Sequence, residues 1–374
     1  MKRTFKVATI FNIPIEINYS WFIIVGLVIF TLASGYFPAT NPGLLPVAYL
    51  LMAIISALLL FASLLAHELA HSLVAEKHDL PIHGITLFVF GGVAQLEKEP
   101  ATPAVEFKMA AAGPAMSFFL AVVFFSLTQT FFSLHFPAYV VSIVNYLFII
   151  NLVVGIFNLF PGFPLDGGRL LRAAIWHFTR DLKRATGIAS AFGKIFAYLL
   201  IAYGLFNLFM GVVISGIWLI FIGFFLQEAA DTSYRQVVMK KLLGGVRVAH
   251  LMTKNVVTVP ANLPLEKLLD DYFFRLRFTS FPVVEDDTLL GLVTIHSVKE
   301  YQQDNWQQFT VRQVMSPITT GIVINEEASV IEALAKMSAS GFGRLLVVKE
   351  NKLIGILSQR DIMRLFEFKS EVSR

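Results

Sequence analysis

The sequence predicts a polytopic α-helical membrane domain, with about six transmembrane helices and a small β-hairpin or sheet, followed by a cytoplasmic α/β pair. Three observations predict it. The chain of 374 residues is 56% hydrophobic and only 15% charged, with a mean hydropathy of +0.68, far more apolar than an average soluble protein. The long apolar runs fall within residues 1 to 230, and the remainder is ordinary soluble sequence. That remainder repeats itself, which points to a duplicated module.

A helix needs about 20 apolar residues to cross a bilayer. Six stretches are candidates: Ser20 to Phe37, Pro46 to Val74, Val105 to Leu134, Tyr139 to Phe160, Ile188 to Met210 and the shorter Val212 to Leu226. The basic start of the chain lacks a small-residue cleavage site after its apolar run, so the first run reads as a retained span rather than a signal peptide. Basic residues mark alternate connections: Lys2, Arg3 and Lys6, then Lys77, Lys98 and Lys108, then Arg169, Arg172, Arg180, Lys183 and Arg184. Connections 36–45 and 135–138 carry none. By the positive-inside rule both termini, and the soluble part, are cytoplasmic in a cell-membrane protein. The same rule accounts for the net charge of +4, so nucleic-acid binding is set aside.

Between the second and third spans, PIHGITLFVFGGVAQLE alternates β-branched and aromatic residues around Gly91-Gly92 and reads as a hairpin over 82–96. Such a hairpin either dips toward the membrane under protein cover or lies on the cytoplasmic surface. In the soluble part, VRVAHLMTKNVVTV recurs as TVRQVMSPITTGIVI, and FPVVEDDTLLGLVTIHSV as LLVVKENKLIGILSQRDI. Met252 matches Met315, Gly291 matches Gly355 and Thr294 matches Ser358. Each copy reads strand, helix, two strands, helix. The division expected is a membrane domain over 1–230, a linker over 231–245, and copies over 246–305 and 306–370.

With no cysteine in the chain, a metal site must use nitrogen and oxygen ligands. LLAHELAHSLVA, at the end of the second span, supplies two of them. His67 and His71, four residues apart on one helix face, can present two imidazole nitrogens to one ion, with Glu68 beside them. This is the H-E-x-x-H arrangement, in which a third ligand completes a zinc site and the glutamate is general base. The plainer reading is a pair of histidines satisfied at a helix interface; ionisable groups are costly inside a span, which favours function. Asp166, in NLFPGFPLDGGRLLR, is the candidate third ligand where the fourth span breaks at Pro161, Gly162 and Pro164. Its plainer reading is the N-cap of the next helix, with Arg169 as a topological anchor.

HELAHSLVA, ITLFVFGGVAQLEKEP, AAAGPAMSF, FNLFPGFPLDGGRLLRAAIW and the repeat together resemble the site-2 protease family of intramembrane zinc metalloproteases, in the prokaryotic branch with a C-terminal tandem of cystathionine-β-synthase (CBS) domains. The resemblance covers nearly the whole chain. It implies one zinc ion held by His67, His71 and Asp166, Glu68 as catalytic acid and base, and Asn158 holding the scissile carbonyl near the metal. The substrate implied is a membrane-spanning regulatory protein, cut in or near its transmembrane segment. Asp79 departs from the family, where glycine is usual before a proline-containing strand.

Related CBS pairs often bind adenine nucleotides, and GILSQRDI matches the pattern in which a Ser or Thr contacts phosphate and an Asp grips the ribose. Ser358 and Asp361 fit; the first copy keeps Thr294 but has Ser297 in place of the Asp. One ATP or AMP site is therefore expected, against the plainer reading of a structural or dimerising module. The competing class is a CBS-regulated transporter or channel, which predicts duplicated spans with paired breaks in both halves. A catalytically silent scaffold is the third reading.

Overall fold

The computed structural model describes residues 4–89, 91–96, 99–286, 288–299, 301, 306–350 and 352–372. Lys2, Arg3, Phe90 and Lys98, used in the sequence reading, lie outside them. The chain divides into two compact units, Met1–Val237 and Val238–Arg374.

The first unit opens with β1 (Thr4–Ile10) and β2 (Ile13–Asn18), a hairpin the sequence reading missed. Phe11 and Asn12, at φ of 51° and 64°, form its tight turn. The alternation in IPIEIN was the available signal: Ile13 and Ile15 are buried while Pro14 and Glu16 are not. β3 (Ile82–Phe88) and β4 (Gly91–Leu96) form the expected hairpin, and β3 pairs in parallel with β2. The four strands make one sheet in the order β1-β2-β3-β4, which leaves β4 at an edge.

Among the described residues six helices are long and apolar enough to span a bilayer, as expected of a multi-pass membrane protein. The first runs from α1 (Ser20–Thr31) through a π-helical turn, Leu32–Tyr36, into α2 (Phe37–Thr40). The others are α3 (Pro46–Glu76), α4 (Pro103–Ser133), α5 (Ala138–Asn158), α7 (Leu182–Phe209) and α8 (Val213–Leu243). Between α5 and α7 lies α6 (Asp166–Thr179), which is amphipathic and carries Arg169 and Arg172. Two expectations on length need correcting. α7 begins at Leu182 rather than Ile188, capped by Asp181, whose carboxylate accepts from the Arg184 backbone at 3.1 Å. α8 continues past Leu226 to Leu243, so the stretch read as a linker is helical through Leu243. A charged second half does not stop a helix once the backbone ladder is running.

α3 is the central helix, packing against α1, α4, α5 and both strands of the β3–β4 hairpin. Its buried face includes the small residues Ala53, Ser56, Ala57 and Ser63, which let neighbouring backbones approach closely. Asn151 of α5 bridges to Ser63 at 3.3 Å and to the Leu147 carbonyl at 2.8 Å, a polar clasp inside the bundle. The sheet lies on α3 through Ile13, Ile15, Ile85 and Leu87, which pack on Leu65 and Leu69. His67, Glu68 and His71 lie on the same stretch of α3.

In the second unit each copy contains the predicted strand, helix, two strands and helix, but a short helix precedes them in both copies and an extra two-residue strand in the second. The first contains α9 (Val248–Leu251), β5 (Val259–Pro260), α10 (Leu265–Lys267) running into a π-helical segment, Leu268–Phe274, then β6 (Ser280–Glu285), β7 (Thr288–Thr294) and α11 (Ile295–Lys299). The second contains α12 (Val311–Val314), β8 (Ser316–Pro317), β9 (Val323–Asn325), α13 (Val330–Ser340), β10 (Arg344–Lys349), β11 (Lys352–Ser358) and α14 (Gln359–Val372). The copies exchange their lead-in segments. β8 of the second copy pairs with β7 of the first, and Thr253 of the first bridges to Ile356 of the second. Leu289 and Leu292 share a core with Ile322 and Leu346, so the copies bury apolar surface jointly.

Candidate functional site

His67 is 4% exposed, and the two imidazole rings stack edge to face with centroids 4.9 Å apart. The Nε2 atoms of His67 and His71 lie 3.2 Å from each other, and each is 3.1 Å from Asp166 Oδ2. The remaining ring nitrogens are held elsewhere. His71 Nδ1 donates to the Met109 carbonyl at 2.7 Å, and His67 Nδ1 is 2.9 Å from Ser117 Oγ, a hydroxyl that can accept from it. Both partners come from α4, so one helix orients both rings.

With protons on the Nδ1 atoms, three lone-pair atoms converge on one point. Neutral rings facing a carboxylate in this way repel one another unless a cation sits between them. In a tetrahedron with metal–nitrogen bonds of about 2.0–2.1 Å, neighbouring ligand atoms are roughly 3.3 Å apart. The observed spacings fit that edge. His67, His71 and Asp166 form the only group of three metal-competent residues among the described residues.

Asp166 reaches the histidines because the chain breaks after Asn158. The plainer reading of Asp166 as an N-cap is not what the structure holds: Leu165 occupies the cap position, and Asp166 is the first helical residue of α6 with its carboxylate on the imidazoles.

Two glycines keep the site open. A Cβ on Gly113 of α4 would overlap the Nε2 atoms of both histidines. A Cβ on Gly92 of β4 would stand 2.5 Å from Glu68 Cγ. The edge strand therefore passes directly over the glutamate. Around these groups is a cavity of about 490 Å³ whose wall includes Glu68, Asn158, Arg169, Val93 and Trp218. Arg169, read from sequence as an anchor, is thus also part of the cavity wall. Nothing in its local sequence separates those two roles.

The model for peptidase family M50 matches residues 55–140 and 133–202, and that for the CBS domain matches 248–304 and 311–367. A Synechocystis protein, sll0528, is 35% identical over 367 residues, spanning 97% of this chain and 96% of that protein. The chain belongs to peptidase family M50. A second relative, Rip3 of Mycobacterium tuberculosis, is 35% identical over 94% of this chain and 90% of its own. MJ0392 of Methanocaldococcus jannaschii is 33% identical, covering 84% and 86%. All three carry the words zinc metalloprotease in their names. The solved site-2 protease from Methanocaldococcus jannaschii aligns with 62% of this chain and 95% of its own, at 28% identity and a TM-score of 0.42. Membership in M50 decides against the transporter reading.

The CBS unit of this M50 chain holds the other predicted residues. Ser358 Oγ donates to Asp361 Oδ2 at 2.6 Å, the Ser358 backbone N–H donates to the same oxygen at 3.1 Å, and the Asp361 N–H returns a bond to Ser358 Oγ at 3.3 Å. This is a capping box that starts α14. In the first copy Thr294 and Ser297 repeat the cap without a carboxylate, their hydroxyls 2.9 Å apart. Arg344, which sequence reasoning missed, bonds Thr279 of the other copy. Burial lowers the Arg344 pKa, and Asp361 opposes that shift.

Proposed function

We propose that this protein is an intramembrane zinc endopeptidase, with zinc held by His67, His71 and Asp166. The observation that carries the reading is the convergence of two imidazole Nε2 atoms and one carboxylate oxygen at 3.1–3.2 Å, with both Nδ1 atoms already engaged. Bound there, zinc supplies Lewis acidity and a water of lowered pKa.

The chain's own groups do the rest. Glu68, next to His67 and confined by β4, takes the proton of the attacking water and returns it to the leaving amine. Asn158, in the wall of the same cavity, donates to the scissile carbonyl oxygen as charge develops on it. His67 and His71 are held against rotation by Ser117 and Met109, so the ligand set is in place before substrate arrives.

The substrate is a membrane-spanning protein. Its helix must unwind for a peptide bond to reach the site, and unwound backbone in lipid costs several kcal/mol per unpaired group. The free edge of β4 supplies partners by strand addition beside Glu68. Both termini are cytoplasmic on the basic-residue pattern, which puts Asp166 and the α6 arginines near that face. The CBS pair takes one adenine nucleotide at Ser358 and Asp361, regulating cleavage, and is also the candidate homodimer surface.

Cleavage of a model transmembrane substrate by purified protein in detergent, comparing wild type with Glu68→Gln while measuring bound zinc, tests the reading. Cutting by wild type alone, with zinc in both, is the expected result. Absence of zinc, or cutting by the variant, would overturn it.

A further inference from the structure

Glu106 and Arg172 have no part in the chemistry described so far, yet both are buried, at 0% and 8% exposure. Arg172 Nε donates to Glu106 Oε1 at 2.6 Å and its Nη2 engages the same oxygen. The guanidinium carbon also lies 5.1 Å from the centre of the Phe163 ring. The pair therefore ties together α4, α6 and the broken segment just before Asp166. Among the described residues it is the one side-chain hydrogen bond between α4 and α6. Glu106 Oε2 is buried without a hydrogen-bond partner among them.

A buried ion pair is a poor source of stability, because desolvation offsets its attraction and an apolar replacement is often as stable. What such a pair adds is direction: a bond to one carboxylate oxygen and a ring contact fix the rotation and height of a helix. Of the two helices joined here, α6 carries Asp166 and α4 orients both histidines of α3. Along α4, Glu106 is followed by Met109, which holds His71, by Gly113, which leaves room for both Nε2 atoms, and by Ser117, which holds His67. On α6, Asp166 is the first residue and Arg172 follows less than two turns later. A slip between these helices would move the carboxylate relative to both imidazoles together.

We propose that Glu106 and Arg172 are a positioning pair for the metal ligands: the pair locks α6 against α4 so that Asp166 Oδ2 meets the two Nε2 atoms. The inference rests on the metal reading given above. It assigns the pair no contact with substrate. Ligand geometry of this kind tolerates little drift, since misplacement by about 1 Å can cost on the order of a hundredfold in rate.

The test uses the full chain in detergent. Glu106→Gln and Arg172→Lys are compared with wild type for zinc affinity by chelator competition, for kcat and KM, and for melting temperature. Asp231→Asn is the control, because it removes one charge of the Lys194–Asp231 ion pair of 3.0 Å between α7 and α8, two helices that carry neither a metal ligand nor a group that orients one. Both variants of the pair should weaken zinc binding by roughly 10–100-fold, the effect usual for groups that orient metal ligands. At limiting zinc kcat should fall with KM unchanged, and added zinc should restore kcat; Asp231→Asn should keep the affinity of wild type. Where Arg172→Lys does not fold, Glu106→Gln, which keeps the shape and an acceptor oxygen, carries the test. Wild-type affinity in the variants, or an equal loss in Asp231→Asn, overturns the inference while leaving the metal reading intact. Wild type that binds no zinc overturns both.

Discussion

The Nδ1 atom of His71 donates to the carbonyl of Met109 at 2.7 Å, and that bond decides what the rest of the ring can do. A carbonyl only accepts, so the proton of the neutral ring belongs on Nδ1 and Nε2 is left with a lone pair. Because the carbonyl is main chain, side-chain substitution at Met109 leaves the donor–acceptor pair in place. The equivalent support for His67 is the Ser117 hydroxyl, which a substitution can remove. Ser117→Ala should therefore weaken zinc binding by roughly 10–100-fold, while Met109→Leu should leave it close to wild type. Chelator competition on the two purified variants checks this. Equal affinities in both would show that the second bond of His67 does not matter.

Metal removal should be felt by the fold as well as by activity. Without a cation, two imidazole lone pairs and a carboxylate face one another at 3.1–3.2 Å inside the bundle. A ligand present at a thousand times its dissociation constant stabilises the folded state by about 4 kcal/mol. Chelation should lower the melting temperature of the wild type, and addition of zinc should restore it. His71→Ala should be far less sensitive to either treatment. A wild type whose melting is unmoved by chelator would contradict the site.

Two glycines separate the ligand set from the proton carrier. A methyl on Gly113 meets both Nε2 atoms, whereas the atoms nearest to a methyl on Gly92 all belong to Glu68. Gly113→Ala should thus lose zinc and activity together. Gly92→Ala should keep zinc and lose activity, by about 10²–10⁴-fold if Glu68 is displaced from its proton-transfer role. Zinc content and cleavage rate, measured on the same preparations, distinguish the outcomes. Loss of zinc in Gly92→Ala would mean that β4 supports the ligands and not only the glutamate.

How far the sequence carried this reading depended on whether the signal was local. His67, Glu68 and His71 lie on one helix, and helical periodicity alone put them together. Asp166 stood out because prolines and glycines broke an apolar run next to it. The β3–β4 hairpin was legible from alternation around Gly91-Gly92, but β1–β2 was not predicted, although IPIEIN alternates as clearly. Contacts made by main chain or by distant helices left no trace: Ser117, the Met109 carbonyl and the Glu106–Arg172 pair required the packing of α4 to be known. The exchange of lead-in segments between the CBS copies was hidden for the same reason, since a repeat marks what is duplicated and not which copy it pairs with.

Strand addition at β4 makes a prediction independent of the metal. Val93 is 48% exposed on the edge strand beside Gly92, so its side chain is free to change without disturbing a core. Proline there removes a backbone N–H from the strand and disfavours pairing. Val93→Pro should depress cleavage of a transmembrane substrate by raising KM, with zinc content unchanged, whereas Val93→Thr should behave as wild type. Full activity in the proline variant would remove strand addition from the mechanism.

A test of the proposed nucleotide site calls for a substitution that leaves the α14 cap intact. Ser358 and Asp361 hold each other through three hydrogen bonds at the start of that helix, so Ser358→Ala would cost cap stability of about 1 kcal/mol whether or not a nucleotide binds. Asp361→Asn is the cleaner change, because an amide oxygen can still accept from the Ser358 N–H while the charge and one acceptor oxygen are lost. Calorimetry on the full chain should find one AMP or ATP bound per wild-type chain and none in Asp361→Asn, with melting temperatures close together. The first copy should not substitute for it, since its cap is made by two hydroxyls, Thr294 and Ser297, with no carboxylate to hold a ribose. Two nucleotides per chain, or unchanged binding in Asp361→Asn, would place the recognising group elsewhere. No binding in the wild type would leave the capping box as the whole role of the motif.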